Sequence, residues 1–302
     1  MNPVHGHNEH RKAQTHKGFP LTDLGSFLRT RREKITPEQA NLPISGATRR
    51  RVPGLRREEV ASLAGVSVEY YTQLERGKAG HVSYSVLSGI SRALQLSDTE
   101  RAHFHRLVAI ARGDVRYPRH SVGESDSAHL AQESSADLSQ HSLRPTLEQI
   151  MHAISLPAYI RNSSFDIIGA NDLAQKLYAP VFDFAQRDTD YGVPNTARFA
   201  FLDPEAARFF VDYEQICSDC TAILHTTAAQ FPQNLVLAQF ITNLAQVSED
   251  FRRRWETQDV GEHRTGKKRL RHPEYGVIEL GYEVFSINAD DEHSLVVYSG
   301  LG

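Results

Sequence analysis

Leu55-Arg56-Arg57-Glu58-Glu59-Val60-Ala61-Ser62-Leu63-Ala64-Gly65-Val66-Ser67-Val68-Glu69-Tyr70-Tyr71-Thr72-Gln73-Leu74-Glu75-Arg76-Gly77 reads as two short helices joined at a tight corner. Val60, Leu63 and Ala64 fall on one helical face. Ala61 is small enough for a second helix to cross closely over it. Gly65 stands where the first helix must stop and turn, which a residue free to take positive φ does at little cost. Ser67 suits the N-cap of the next helix, and Glu69 places a carboxylate in its first turn, where the helix dipole favours it. Tyr71 and Leu74 return to the same core, and Gly77 ends the helix. This order of residues is that of a helix-turn-helix, whose second helix enters the major groove of duplex DNA.

Working outward, Leu21 to Lys34 reads as a first helix, with Leu24, Phe27 and Leu28 inward and Arg29, Arg31, Arg32 and Lys34 outward. A loop with Pro37, Pro43, Gly46, Pro53 and Gly54 follows, in which continuous helix is forbidden; it carries Arg49, Arg50 and Arg51. Tyr84 to Leu96 is helical. Ser97-Asp-Thr-Glu100 is a capping box opening a fifth helix that runs to Arg112 and buries Phe104, Leu107, Val108 and Ala111. The expected organisation is a disordered tail over 1–18, a mainly α five-helix DNA-binding domain over 19–113, a serine-rich linker over 114–143 with a short helix near 129–133, and a second domain over 144–302. The four histidines His5, His7, His10 and His16 of the tail belong to a solvated segment.

The second domain reads as α+β. Leu147, Ile150, Met151 and Ile154 form one helical face. Residues 158–161 and 166–170 flank Asn162-Ser-Ser164 as a hairpin. Asn171 caps a helix through Tyr178, ended by Pro180. One long amphipathic helix is expected from Asp203 to Ala229, then helices over 235–246 and 249–258. Strands follow at 267–272, 276–287 and 294–298. Strands at both ends around helices imply one antiparallel sheet covered by helices.

The composition narrows the function. The net charge of −3 hides an asymmetry. Residues 21–112 carry 15 Lys and Arg against 9 Asp and Glu, whereas residues 145–302 carry 13 against 22. A basic head can approach phosphate, while an acidic body is repelled by it. No run reaches the ~18 apolar residues of a membrane span. The N-terminus lacks an apolar export core, and two cysteines cannot build a disulfide framework, so the expected location is the cytoplasm. Cys217 and Cys220 lie on the apolar side of a helix and read as packing residues. No GxSxG, HExxH, phosphate loop or dinucleotide fingerprint is present, so the chain is not read as an enzyme, and no cofactor is implied.

Residues 24–112, with Pro53-Gly-Leu-Arg-Arg-Glu-Glu-Val-Ala61 and Val68-Glu-Tyr-Tyr-Thr-Gln-Leu-Glu-Arg-Gly77, resemble the XRE, lambda-repressor-like regulators, and in particular their MmyB-like branch. The second half is similar to the same family over Ile168-Gly-Ala-Asn171, Asn195-Thr-Ala-Arg198-Phe-Ala-Phe-Leu-Asp-Pro204, Phe251-Arg-Arg-Arg-Trp255, Lys267 to Gly276, and Tyr282-Glu283. The resemblance implies a PAS-like ligand-binding domain and a fatty-acid-like effector. Gln258 stands where the family usually has a histidine.

Site residues follow. Val68, Glu69, Tyr70, Thr72 and Gln73 are placed to read base edges; Gln73 suits adenine, Glu69 cytosine and Val68 a thymine methyl. Arg49, Arg50, Arg51, Arg56, Arg57, Arg76 and Lys78 are placed to hold phosphates. Asn171, Arg198, Arg254 and Tyr282 are the candidate effector contacts, each weighed against an ordinary structural role. The partners expected are double-stranded DNA, a small apolar or fatty-acid-like effector and a second copy of the chain, with no membrane. The competing reading is a DNA-binding repressor or antitoxin whose second domain takes a partner protein.

Overall fold

The computed structural model describes residues 23–42, 54–80, 82–114, 143–288 and 292–300. The N-terminal tail, the Arg49–Arg51 cluster and the expected linker helix lie outside these residues.

The N-terminal part is all helix: α1 (Leu24–Lys34), α2 (Arg57–Ala64), α3 (Val68–Glu75), α4 (Tyr84–Ala93) and α5 (Asp98–Arg112). Phe27, Leu28, Leu55, Val60, Tyr71, Leu74, Ile90 and Phe104 form its sealed centre. The corner forms as the sequence demands. Gly65 takes φ 69 and closes α2, while the Ser67 hydroxyl accepts from Tyr70 N–H at 3.1 Å and opens α3. Gly89 lets α4 cross α2 without clearance: a Cβ there would meet the Ala64 carbonyl oxygen at 2.5 Å. The Ser97/Glu100 capping box is present on α5.

Three expectations for this half are corrected. Arg31 and Arg32 are buried, not outward, because each finds fixed acceptors. Arg32 donates from Nε to Glu75 Oε1 at 2.6 Å and from Nη1 to the Leu55 carbonyl at 2.8 Å. Ala111 is exposed, since α5 outruns the core near its end.

The C-terminal part is built on one antiparallel sheet in the order β2-β1-β5-β4-β3. Its strands are β1 (Ala158–Arg161), β2 (Ile167–Ala170), β3 (Thr265–His272), β4 (Gly276–Ser286) and β5 (Ser294–Ser299). Helix α6 (Pro145–Ala153) covers part of one face through Met151, against Ala158, Ile160, Leu295 and Val297. The other face packs Tyr159, Leu270, Leu280, Val296 and Tyr298 against α7 (Asp172–Leu177), α8 (Ala179–Arg187), α9 (Thr196–Leu202), α10 (Ala206–Phe209) and the start of α11 (Tyr213–Gln230). A further core joins α11 to α12 (Leu235–Val247) and α13 (Glu249–Glu256) through Leu224, Phe240, Ile241, Leu244, Phe251 and Trp255.

The long helix expected from Asp203 to Ala229 is two helices. The chain leaves helical geometry at Phe210 (φ −84, ψ 115) because its backbone is drawn to the edge of β3, where Val211 N–H donates to the Arg269 carbonyl at 3.1 Å. Pro180 opens α8 in its first turn instead of only ending α7, a position that needs no N–H. Ile150 is exposed, as the sheet receives only the Met151 side of α6.

Candidate functional site

Two places carry chemistry. The first is the outer face of α3. Val68 and Glu69 are exposed, and Tyr70 is half-buried against the head core while Tyr71 beside it is sealed. The Thr72 hydroxyl donates to the Val68 carbonyl at 2.7 Å. Gln73 is half-buried, and its Oε1 is sealed without a partner among the described residues. A helix pinned from behind by Tyr71 and Leu74, with its leading turn in solvent, has the shape required for a groove.

Cations ring this face. Arg76 and Lys78 are exposed, and Arg56 reaches Glu58 at 3.3 Å. Arg57 donates to Glu75 at 2.6 Å, with half its side chain still exposed. Glu75 therefore sits between Arg32 and Arg57. Burial raises its pKa, but hydrogen bonds from both arginines outweigh that and hold the carboxyl below its ordinary range. The pair ties α1, α2 and the end of α3 together behind the exposed helix.

The second place is a cavity between the sheet and α11. Its free volume is about 40 Å³, and its lining includes Tyr159, Arg161, Tyr178, Phe210, Cys220, His263, Lys268 and Tyr282. Lys268 Nζ lies 3.3 Å from the hydroxyls of Tyr178 and Tyr298, which bond each other at 2.6 Å. The rings of Tyr178, Phe210, Tyr282 and Tyr298 surround the ammonium at 5.5–5.9 Å. Arg161, only 6% exposed, lies over the Phe165 ring and meets His263 Nδ1 at 3.0 Å. His263 is held neutral: burial lowers its pKa first, and the charges of Arg161 and Lys268 lower it further.

Among the described residues, neither Arg161 nor Lys268 has an ion-pair partner. Asp219 also lines the cavity but forms no ion pair with either cation, so the buried Arg161 and the half-buried Lys268 outnumber their counter-charge, an imbalance that an added anion relieves. The sealed aromatic walls supply an apolar surround, and the tyrosine hydroxyls supply donors. The chemistry of the site therefore matches a molecule with one anionic end.

Of the four sequence candidates, the lining contains only Tyr282. The other three have their bonding capacity taken up elsewhere. Asn171 caps α7 at Ala174 N–H (2.9 Å), accepts from Ala158 N–H (3.1 Å) and donates to the Leu156 carbonyl (2.8 Å). Arg198 pairs with Asp188 at 2.6 Å and stacks on Tyr191. Arg254 pairs with Asp250 at 2.9 Å and with Glu214. Cys217 and Cys220 are buried, and burial pushes their thiols up to about 12 and about 11, far from the thiolate chemistry of a redox pair.

Sequence reasoning missed Arg161, Lys268 and His263. A signal existed for Lys268: strand alternation puts it on the same face as Leu270, a buried position. Arg161 ends an otherwise apolar strand, and that alone does not distinguish a buried cation from a strand-end charge.

Comparison with protein families covers both halves of the chain. A model described as a helix-turn-helix domain matches residues 23–104. A model described as the MmyB-like transcription regulator ligand binding domain matches residues 143–300, more than half of the chain. No curated protein matches it.

Proposed function

The chain belongs to the MmyB-like transcription regulators, and from that premise we propose a cytoplasmic, homodimeric, sequence-specific regulator switched by a fatty-acid-like effector. The coarse architecture, a DNA-binding unit joined to a ligand-sensing one, follows from the two family matches. The observation that carries the finer reading is the buried Arg161 and the half-buried Lys268 facing one tyrosine-lined cavity. A carboxylate seated there meets both charges, and its apolar body runs along Ile216 and Ile223.

Base reading is assigned to Val68, Glu69, Tyr70, Thr72 and Gln73, supported by the exposure of the first turn of α3. Phosphate contacts are assigned to Arg56, Arg57, Arg76 and Lys78, with Arg49–Arg51 as further candidates by sequence. One head offers few base contacts, so two are required, on half-sites one helical turn apart, ~34 Å, or a multiple of it. An enclosed polar cavity favours a small-molecule effector over the partner-protein reading, which needs a broad exposed apolar face. Among the described residues, no helix is long and apolar enough to cross a membrane.

The test is native mass spectrometry of the purified chain, followed by titration with a series of carboxylates from acetate to palmitate. The reading expects a co-purifying acid recovered chemically unchanged, and at least tenfold weaker binding in Lys268→Met and in Arg161→Met. Equal affinity in both variants would overturn the site assignment, and turnover of the acid would overturn the sensor reading.

A further inference from the structure

The two halves of the chain are not independent in this structure. Arg31 on α1 reaches across to the body, donating to Asp259 at 3.1 Å and to the Gln258 carbonyl, while holding Glu100 within its own half at 3.0 Å. Lys34 also meets Asp259. Ala229, from the end of α11, and Val260 pack into the core of the head. Helix α5 lies against α11, with His103 on the head side of this contact and His225 buried on the body side.

The residues that hold the head are covalently next to those that wall the cavity. After α13 the chain runs as a strap through Gln258, Asp259, Val260, Gly261 and His263. Gln258 sits at φ 54, a backbone state uncommon for a residue with a side chain. Gly261 N–H donates to the Ala222 carbonyl at 3.1 Å, and Thr226 donates to the Gly261 carbonyl at 2.8 Å, so the strap is stitched to α11. Two residues later His263 lines the cavity and meets Arg161. Helix α11 itself lines the cavity with Ile216, Cys220 and Ile223, and enters the head core with Ala229.

The cavity is too small for its proposed occupant. Its free volume of about 40 Å³ accommodates a few water-sized groups. Pockets for organic ligands run to roughly 300–1,000 Å³. Filling it requires a wall to move. The sheet wall is tied by the ladder that joins β1, β5, β4 and β3. Off the sheet, the wall includes Tyr178, Thr196 and Phe210 and α11 with the strap; of these, α11 and the strap are the parts that also pack on the head.

We propose that head docking and cavity opening are competing states of one moving unit, made of α11 and the strap 257–263. Outward movement of α11 carries Gly261 with it through Thr226 and draws Asp259, Val260 and Ala229 off the head. The contact is suited to release, because Arg31 Nε and His103 Nδ1 are buried there without a partner among the described residues. An effector that binds the open form then frees the heads, and freeing the heads favours the effector equally, because coupling between two sites is reciprocal. This biological sense rests on reading the cavity as the effector site; the mechanical coupling does not.

Hydrogen exchange of the full chain, with no ligand added, tests the coupling from both ends. Asp259→Asn weakens the latch without filling space. We expect at least threefold faster amide exchange not only at 256–260 but also at the cavity wall, over 216–224 and 261–264. Acceleration confined to the latch would overturn the proposal. Cys220→Phe fills the cavity from within and is expected to speed exchange over the α1 and α5 faces of the head by a similar factor; unchanged exchange there in a folded variant would overturn it equally. If circular dichroism shows that Cys220→Phe does not fold, the Asp259→Asn result decides alone. Because neither arm uses an acid, failure of the fatty-acid reading leaves both outcomes interpretable.

Discussion

Single buried charges decide much of this molecule. Glu75 is a sealed carboxylate between two arginines that do unequal work: Arg32 is buried with it, while Arg57 is half exposed. Removing the buried Arg32 leaves the sealed Glu75 with only the half-exposed Arg57, at a cost of about 3 kcal/mol, whereas the solvated Arg57 contributes about 1 kcal/mol. Urea unfolding of Arg32→Met should therefore show the larger loss by about 2 kcal/mol, and equal losses would mean that Glu75 is better solvated than its burial indicates. Lys268 makes the opposite case. A half-buried ammonium with no ion pair among the described residues opposes stability, so Lys268→Met should be about 1 kcal/mol more stable than the parent chain while losing acid binding. A less stable variant would show that the tyrosine hydroxyls and rings already satisfy the ammonium.

At the scale of elements, the exposed helix is positioned by what lies behind it. Gly89 allows α4 to seat against the end of α2, and Gly89→Ala forces a Cβ to within 2.5 Å of backbone oxygen. A loss of about 2 kcal/mol is expected, as for other overpacked contacts, together with weaker DNA binding by any fraction that remains folded. Unchanged thermal unfolding would show that α4 slides freely. These elements also mark how far the sequence could be read. The corner from Arg57 to Gly77 was legible because each step has a local cause: a left-handed Gly65, a capping Ser67 and an inward Tyr71. The sheet was legible from strand alternation and turns. The break at Phe210–Asp212 was not, since its cause is a strand more than fifty residues away. The cavity cations were also hidden, because a buried arginine and a surface one look alike in a string. Motif resemblance drew attention to Asn171, Arg198 and Arg254, whose local partners keep them structural.

Across the whole molecule, the contact between head and body gives a pH signature. Burial is the largest cause that lowers His103 to about 3 and His225 to about 4; the facing His225 is the next cause at His103, and Arg31 lowers both a little further. Arg106 also opposes protonation of His103, whereas Asp259 and the Trp255 carbonyl favour it at His225. The folded pKa values lie below the unfolded value near 6.5, so the unfolded chain binds more protons in the interval between them. Stability is then fully present above pH 6.5 and falls as pH drops through 6.5 towards 4. Unfolding midpoints at pH 7.5 and 5.0 should show this loss, and His103→Leu should reduce the difference; an unchanged slope would place the titrating groups elsewhere.

The claim on which everything else stands is that α3 reads bases while the cations around it hold phosphates. Selection of bound duplexes from a random pool, followed by anisotropy titration of the selected and a scrambled duplex at one salt concentration, measures it directly. For Gln73→Ala, the account predicts a loss of at least tenfold on the selected duplex and little change on the scrambled one, while Arg57→Ala weakens both alike. Equal losses on both duplexes for Gln73→Ala, or no preference in the parent chain, would contradict it.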